Sequence, residues 1–134
     1  MKKSTNAFRP ILFLVVIGMF ISSFGDVSAQ DNNPYVRTVK MVVDSVQLDN
    51  FRAVLKEHAA SAVKTEPGVL TFYAVYDKDQ PNNVTIFEIY ASVSAYESHI
   101  HTPSHLKYIS AVKSMVKSLV LTDVIPIALE TKPK

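Results

Sequence analysis

Two hydrophobic periodicities alternate along the chain after residue 34. Residues 35–46 are rich in β-branched side chains with apolar residues on both parities, which predicts a strand covered on both faces. Asp49 is then expected to cap a helix that ends at Glu66-Pro67-Gly68, with Gly68 taking a positive φ in the turn. The buried stripe predicted for this helix contains Phe51, Val54, Leu55, His58, Ala62 and Val63.

A hairpin is predicted next. Residues 69–76 and 84–90 alternate β-branched and aromatic side chains, and residues 77–83 between them are a dense cluster of turn formers. Two strands joined by such a turn pair with each other in antiparallel fashion.

A broken helix and a last strand complete the pattern. Ser94 and Glu97 have the spacing of a capping box, and Pro103 must interrupt the helix that starts there. Thr102 is expected to cap a further helix with Pro103 at its first position. Residues 119–125 form the last predicted strand, and the inward stripe of the second helix is predicted to contain Leu106, Ile109, Val112, Met115 and Val116.

The predicted order is strand, helix, strand, strand, broken helix, strand. This is the split βαβ arrangement of a ferredoxin-like α+β domain, a four-stranded antiparallel sheet with helices on one face. Several strands carry apolar or aromatic side chains on both parities, so the second face of the sheet needs a cover. A second copy of the chain would supply that cover, which predicts a homodimer through the sheet face.

The N-terminus has the pattern of a secretory signal peptide. Three cations precede an apolar run at residues 11–21, and small residues Val27 and Ala29 suit cleavage before Gln30. The run is 11 residues long, whereas a membrane span needs about 20; a retained anchor is the alternative. We therefore expect residues 1–29 to be removed and the protein to be exported, as a periplasmic or secreted protein with no membrane attachment.

The remaining residues, 30–134, form one domain with its core at about 35–127. Cleavage would remove three of the 14 basic residues and one of the 12 acidic residues, leaving 11 of each. A neutral domain without a cluster of cations is not expected to bind nucleic acid. The chain has no cysteine, which excludes thiol nucleophiles and thiolate metal sites, and Gly68 is the only glycine after the leader, which argues against nucleotide loops.

Four histidines are candidates for chemistry. His58 lies on the predicted apolar stripe, either as a core histidine bonded to a carbonyl or as a proton acceptor in a pocket. His99 and His105 flank the Pro103 break, where two short helices can open a cavity; surface or capping roles are the alternative. A metal site of these three with His101 is not expected, because His99 and His101 face different ways and Pro103 disrupts the spacing of His101 and His105.

Glu88 and the aromatic residues around the hairpin are the other candidates. Glu88 stands between apolar neighbours, so we expect its pKa to be raised and the carboxyl to act as an acid or base, unless it pairs with a lysine or a tyrosine hydroxyl. Phe72, Tyr73 and Tyr90 are ordinary core residues or line a pocket for a flat apolar ligand.

Several short motifs together resemble the antibiotic biosynthesis monooxygenase family over nearly the whole mature domain. They are Glu66-Pro67-Gly68-Val69-Leu70, Tyr73, Asp77, Pro81, Glu88-Ile89-Tyr90, Ser92, Ala95-Tyr96-Glu97-Ser98-His99 and Thr102-Pro103-Ser104-His105. The resemblance implies a ferredoxin-like fold whose subunits pair sheet against sheet as a dimeric α+β barrel.

By the resemblance, Glu88, His99 and Tyr90 fall on positions that the family keeps near its pocket, and His58 joins them from its place on the helix stripe. The family's usual histidine after Thr-Pro is displaced, since Ser104 occupies its place and His105 follows. The asparagine of the haem-degrading members has no counterpart in the first strand, which disfavours haem degradation.

The implied activity needs no cofactor. A base, His99, His58 or Glu88, would deprotonate a quinol-like or polycyclic aromatic substrate, whose anion would react with O2 directly. Tyr90 and Tyr73 would stack on it and stabilise the anion, and Phe72 and His105 would contact it. The alternatives are an isomerase of a small hydroxy-diketone and a non-catalytic exported dimer that binds an aromatic or quinone ligand.

Overall fold

The computed structural model describes residues 33–133, and the predicted signal peptide lies outside them. No helix in this part of the chain is long and apolar enough to cross a membrane. The elements are β1 Tyr35–Val43, α1 Leu48–Thr65, β2 Val69–Tyr76, β3 Asn83–Tyr90, α2 Val93–Ile100, α3 Pro103–Val112 and β4 Val116–Val124, with a 3-10 turn at Ser45–Gln47 before α1.

The four strands form one antiparallel sheet in the order β2-β3-β1-β4. The helices pack on one face of it, and the side chains of β3 alternate between a buried position towards the helices and a half-buried position on the other face. The ferredoxin-like α+β fold predicted from the sequence is therefore confirmed. Two strand boundaries differ from the prediction by a few residues. The first strand, β1, ends at Val43 and not at residue 46, and the last strand, β4, begins at Val116 and not at residue 119.

The core lies between α1, α3 and the sheet. Buried residues of β1 and β3 meet Phe51 and Leu55 of α1 and Val112 of α3 in one apolar cluster. A smaller cluster of Ala62, Val69 and Tyr90 packs at the other end of α1. A cavity between the sheet and the helices holds the candidate site described below.

Two predicted helix caps are wrong by a few residues. The Asp44 side chain accepts a hydrogen bond from the Val46 N–H and caps the 3-10 turn, so Asp49 lies in the first turn of α1 instead. Ser92, and not Ser94, caps α2 by accepting from the Ala95 N–H. Ser92 is the earlier side chain that reaches the free N–H groups of α2, whereas the N-cap residue of α1, Gln47, makes no side-chain cap bond.

The break at Pro103 is confirmed. The predicted inward stripe is confirmed for Val112 and Met115, which are buried, and is wrong for Leu106 and Ile109. Thr102 caps α3 by accepting from the His105 N–H. Leu106 and Ile109 are 56% and 45% exposed, whereas Tyr108 and Val112 are buried. Tyr108, one turn before Val112, takes an inward position that was not predicted, because its ring buries more apolar surface than a leucine side chain does.

The second face of the sheet carries exposed apolar side chains. Val75 of β2 and Val120 of β4 are 61% and 58% exposed. An apolar sheet face of this kind is typical of an interaction surface.

One residue of α1 differs from the prediction. Val63, which was expected on the buried stripe of this helix, is exposed.

Gly68 has a different role from the predicted one. No glycine among the described residues has a positive φ, so the expectation of a left-handed turn is wrong. A Cβ at Gly68 would instead lie 2.5 Å from the Cβ of Ala95 in α2. The glycine is needed because α2 packs directly onto the turn that leads into β2.

We predict that Gly68→Ala destabilises the fold by about 1–3 kcal/mol, the usual penalty for adding a methyl group to a tightly packed contact. Urea denaturation measures the change. In the double variant Gly68→Ala/Ala95→Gly the clash is removed, so its stability loss should be smaller than the sum of the two single losses. Additive losses would contradict this interpretation of Gly68.

Candidate functional site

A cavity of about 440 Å³ lies between the sheet and the three helices. Its walls are mainly apolar and include Phe72 and Ile86. It is open on the β4 side, because Leu119 and Leu121 line it and are still half exposed. The volume falls within the roughly 300–1,000 Å³ typical of small-molecule sites.

His58 is held in this cavity by aromatic contacts. It projects from the middle of α1 and is 4% exposed. Its ring stacks on Tyr108 with 4.4 Å between centroids and meets the edge of Phe72 at 5.7 Å. Neither ring nitrogen has a hydrogen-bond partner among residues 33–133. The structure therefore places His58 inside the pocket, without the carbonyl bond expected of a core histidine.

His99 and His105 reach the same point from the two sides of the Pro103 break. Their ring centroids are 4.7 Å apart, and each lies within 5.5 Å of the His58 ring. The break therefore brings His99 and His105 together at the cavity, as their positions on either side of Pro103 suggested, although a cluster of them with His58 was not expected from the sequence. His101 is exposed outside the group, with its Nδ1 2.7 Å from the Glu97 carbonyl oxygen.

Glu66 orients His99. Its Oε2 lies 2.8 Å from His99 Nδ1, and the His99 side chain is 1% exposed. An imidazole whose Nδ1–H donates to a carboxylate leaves Nε2 free to accept a proton or bind an ion. Sequence reasoning treated Glu66 only as part of a turn. Its position in the Glu66-Pro67-Gly68 motif was the available signal.

Glu88 and Tyr90 form a second polar pair on β3. Both side chains are buried, and the Tyr90 hydroxyl hydrogen-bonds the carboxylate. Burial raises the pKa of Glu88, although the charges of His99 and Arg37 oppose the shift, as the sequence predicted. Burial together with the adjacent Glu88 carboxylate raises the pKa of Tyr90 as well.

Arg37 closes the cavity beside this pair. Its Nε lies 3.0 Å from Asp123 Oδ1 on the neighbouring strand, and its guanidinium donates a hydrogen bond to the Tyr96 hydroxyl. The guanidinium also lies over the Tyr96 ring, 4.5 Å from its centroid. Sequence reasoning did not assign these residues to the site, because cross-strand and helix contacts set their positions.

Burial, together with a smaller effect of the neighbouring histidines, lowers the pKa of His58 and of His105 from 6.5 to about 4. Both imidazoles are therefore neutral at pH 7. Each offers one N–H donor and one nitrogen lone pair to the cavity.

The structure brings six of the seven predicted site residues to this cavity and leaves one outside. The six residues that line it are His58, His99, Glu88, Tyr90, Phe72 and His105. Tyr73 points to the opposite face of the sheet and is 62% exposed, because successive side chains of a strand alternate between faces. Within this chain, Tyr73 therefore does not reach the cavity.

We predict that the histidines make the stability depend on pH. The unfolded chain takes up protons at His58 and His105 near pH 6.5, whereas the folded chain does so only near pH 4. The free energy of unfolding should therefore fall between about pH 6.5 and 4 because of these two groups. Urea denaturation across this range would show a shallower fall for His58→Phe, which keeps an aromatic ring against Tyr108.

Glu88 has a raised pKa and contributes the opposite slope, so only the difference between variant and wild type is informative. His101→Gln, which changes the exposed histidine, is the matched control. Parallel pH profiles for His58→Phe and the wild type would contradict the assignment.

Comparisons with protein families and with solved structures point to the same family. The model of the antibiotic biosynthesis monooxygenase family matches residues 34–111, and no curated protein matches. A Bacteroides thetaiotaomicron structure, provisionally named an antibiotic biosynthesis monooxygenase, is 43% identical with a TM-score of 0.72, and the match covers 76% of this chain and 97% of that one. A provisionally named monooxygenase from Lactobacillus acidophilus is 28% identical with a TM-score of 0.68, covering 70% of this chain and 45% of that one.

A further structure, from Nitrosomonas europaea, is 18% identical and carries the same provisional family name. Its TM-score is 0.67, and the match covers 72% of this chain and 92% of that one. At this identity the likeness concerns the fold alone. The family model matches more than half of the chain, and the Bacteroides relative is 43% identical over 76% of it; the chain therefore belongs to the antibiotic biosynthesis monooxygenase family.

Proposed function

We propose that this protein oxidises a quinol-like or polycyclic aromatic small molecule with O2 and without a cofactor. The observation that carries the proposal is the pair of Glu66 and His99, with 2.8 Å between Oε2 and Nδ1, at the wall of an apolar cavity. A histidine oriented in this way has one nitrogen available as a general base. Family membership supports small-molecule oxygenation as the reaction type.

The shape of the cavity supports an aromatic substrate. Phe72, Tyr90 and Tyr108 present ring surfaces to it, and its mouth at Leu119 and Leu121 is apolar. Flat aromatic compounds pack on such surfaces through stacked or edge-on contacts. A small polar substrate would leave most of these walls without a matching group.

His99 would begin the reaction by taking a proton from the substrate at Nε2. For an anthrone-type methylene, the carbanion transfers one electron to O2, and the resulting radical pair joins to form a C–O bond. Loss of the second C–H proton and cleavage of the O–O bond then give a carbonyl group and water. The substrate supplies all the electrons, so the protein has only to move protons and stabilise charge.

Three groups around His99 fit that task. His58 and His105 are neutral, and each has an N–H that can donate to the developing substrate anion. Glu88 shares the wall with His99 and, with a raised pKa, serves as a second proton-transfer group. The low polarity of the cavity strengthens each of these interactions.

The exposed apolar face of the sheet supports a homodimer. A partner copy packed against this face would remove the apolar surface of Val75 and Val120 from water. Tyr73 lies on the same face of β2 and would then contact the partner. We also propose that the mature protein works after export, in the periplasm or outside the cell, since the leader pattern at residues 1–29 is typical of secretion.

We expect chelator-treated protein to consume O2 with hydroquinones or anthrones at a rate above autoxidation. His99→Gln should lower kcat about 10²- to 10⁴-fold, the usual contribution of a general base. Glu66→Gln should lower it less, because His99 keeps its place but loses the carboxylate that fixes its proton. An oxygen electrode measures these rates, and His101→Gln is the control that should keep the wild-type rate.

The same experiment tests the alternative of a binding protein. Compounds that bind by calorimetry but cause no O2 uptake would show that the cavity holds an aromatic ligand without turning it over. Equal rates in the wild type and in His99→Gln would remove His99 from the mechanism.

We predict that the protein sediments as a dimer at micromolar concentration. Val75→Glu and Val120→Glu should each shift it towards monomer, since a buried, unpaired carboxylate opposes association. Val46→Glu is the control, because Val46 is also exposed but lies in the 3-10 turn, away from this face. Analytical ultracentrifugation measures the oligomeric state of each variant, and a wild-type monomer over the whole concentration range would contradict the dimer.

A further inference from the structure

The three cavity histidines leave several buried ring nitrogens without a partner. Both nitrogens of His58 and Nδ1 of His105 are buried and have no hydrogen bond among residues 33–133. Buried polar atoms nearly always have a partner, because an unmet hydrogen bond in an apolar setting is costly. Unpartnered nitrogens on two adjacent rings therefore indicate a ligand in the cavity, which can bond one nitrogen of each ring.

The nitrogens are close enough together to share one ion. One nitrogen from each of His58, His99 and His105 lies within 4.8 Å of the other two. An ion at their centre would be at most about 2.8 Å from each, so movements of less than about 1 Å would bring them to the roughly 2.0–2.1 Å of a zinc–imidazole bond. Small changes of side-chain torsion provide movements of this size.

The surroundings have the features of a metal centre's outer shell. Glu66 accepts from His99 Nδ1–H, which is the carboxylate–histidine arrangement that orients a metal ligand and raises its basicity. Tyr108 stacks on His58 and fixes the plane of its ring. The Glu66 carboxylate also provides negative charge next to the ion.

A purely structural role does not explain the cluster as well. His101 shows what a structural histidine in this chain looks like, since its Nδ1 bonds the Glu97 carbonyl oxygen at 2.7 Å. His58 has no such bond although it is far more buried. Three imidazoles without thiolates suit a divalent first-row transition metal such as Zn²⁺, Co²⁺, Ni²⁺ or Cu²⁺.

We propose that His58, His99 and His105 bind a divalent transition-metal ion, with Glu66 as the positioning residue for His99. The ion would keep at least one coordination position open towards the cavity, as three-histidine sites do. This inference goes beyond the proposed oxygenation. Because His99 Nε2 would be both the proposed base and a metal ligand, the metal-bound state and the metal-free oxygenating state exclude each other.

The test is direct binding of Zn²⁺ and Co²⁺ to purified, chelator-treated protein without an affinity tag. We expect one ion per chain by calorimetry, visible absorption bands of nitrogen-bound Co²⁺, and a rise in Tm with Zn²⁺. His58→Phe and His105→Phe should weaken binding at least about 100-fold, and Glu66→Gln by about 10- to 100-fold. His101→Gln should bind as the wild type does.

The binding experiment tests the metal site independently of oxygenation, because it contains no substrate. No saturable binding by the wild type, or equal affinity in the wild type and His58→Phe, would overturn the proposal. If His58→Phe did not fold, His105→Phe and the Co²⁺ spectrum of the wild type would still test it. Co²⁺ bands of water or carboxylate ligands alone would also overturn it.

Discussion

The close approach of α2 to the Gly68 turn is the constraint on which the site depends. A methyl group at Gly68 would lie 2.5 Å from Ala95 Cβ, so the first turn of α2 rests on the backbone that links α1 to β2. Glu66 belongs to that link and His99 to the end of α2, and the contact brings their side chains to 2.8 Å. One glycine thus decides whether the carboxylate and the imidazole meet.

The second constraint is the break between α2 and α3. Thr102 ends one helix by donating its hydroxyl proton to the His99 carbonyl oxygen and starts the next by capping the His105 N–H. A continuous helix would place residues six positions apart on different faces. The turn instead lets both rings face His58, so three separate helices contribute one imidazole each to the same point.

Much of the fold could be predicted from the sequence, and less of the site. Alternation and turn residues identified β2 and β3 to within a residue, because these signals are local. The predictions that failed depended on distant neighbours. Leu106 lost the inward position to Tyr108, and Gly68 was needed for packing against α2 and not for its φ. Glu66 was missed as a site residue for the same reason, since its partner His99 lies 33 residues away.

The chemistry of the cavity follows from what occupies His99 Nε2. In the proposed oxygenation, Nε2 accepts a proton from the substrate, and the neighbouring neutral histidines would donate hydrogen bonds to the substrate anion. With a metal ion there, the same histidines are ligands through their lone pairs. A neutral imidazole has one donor and one acceptor nitrogen, so it serves either role without a change in the fold. Burial keeps His58 and His105 neutral at pH 7, and that is the common physical requirement of both states.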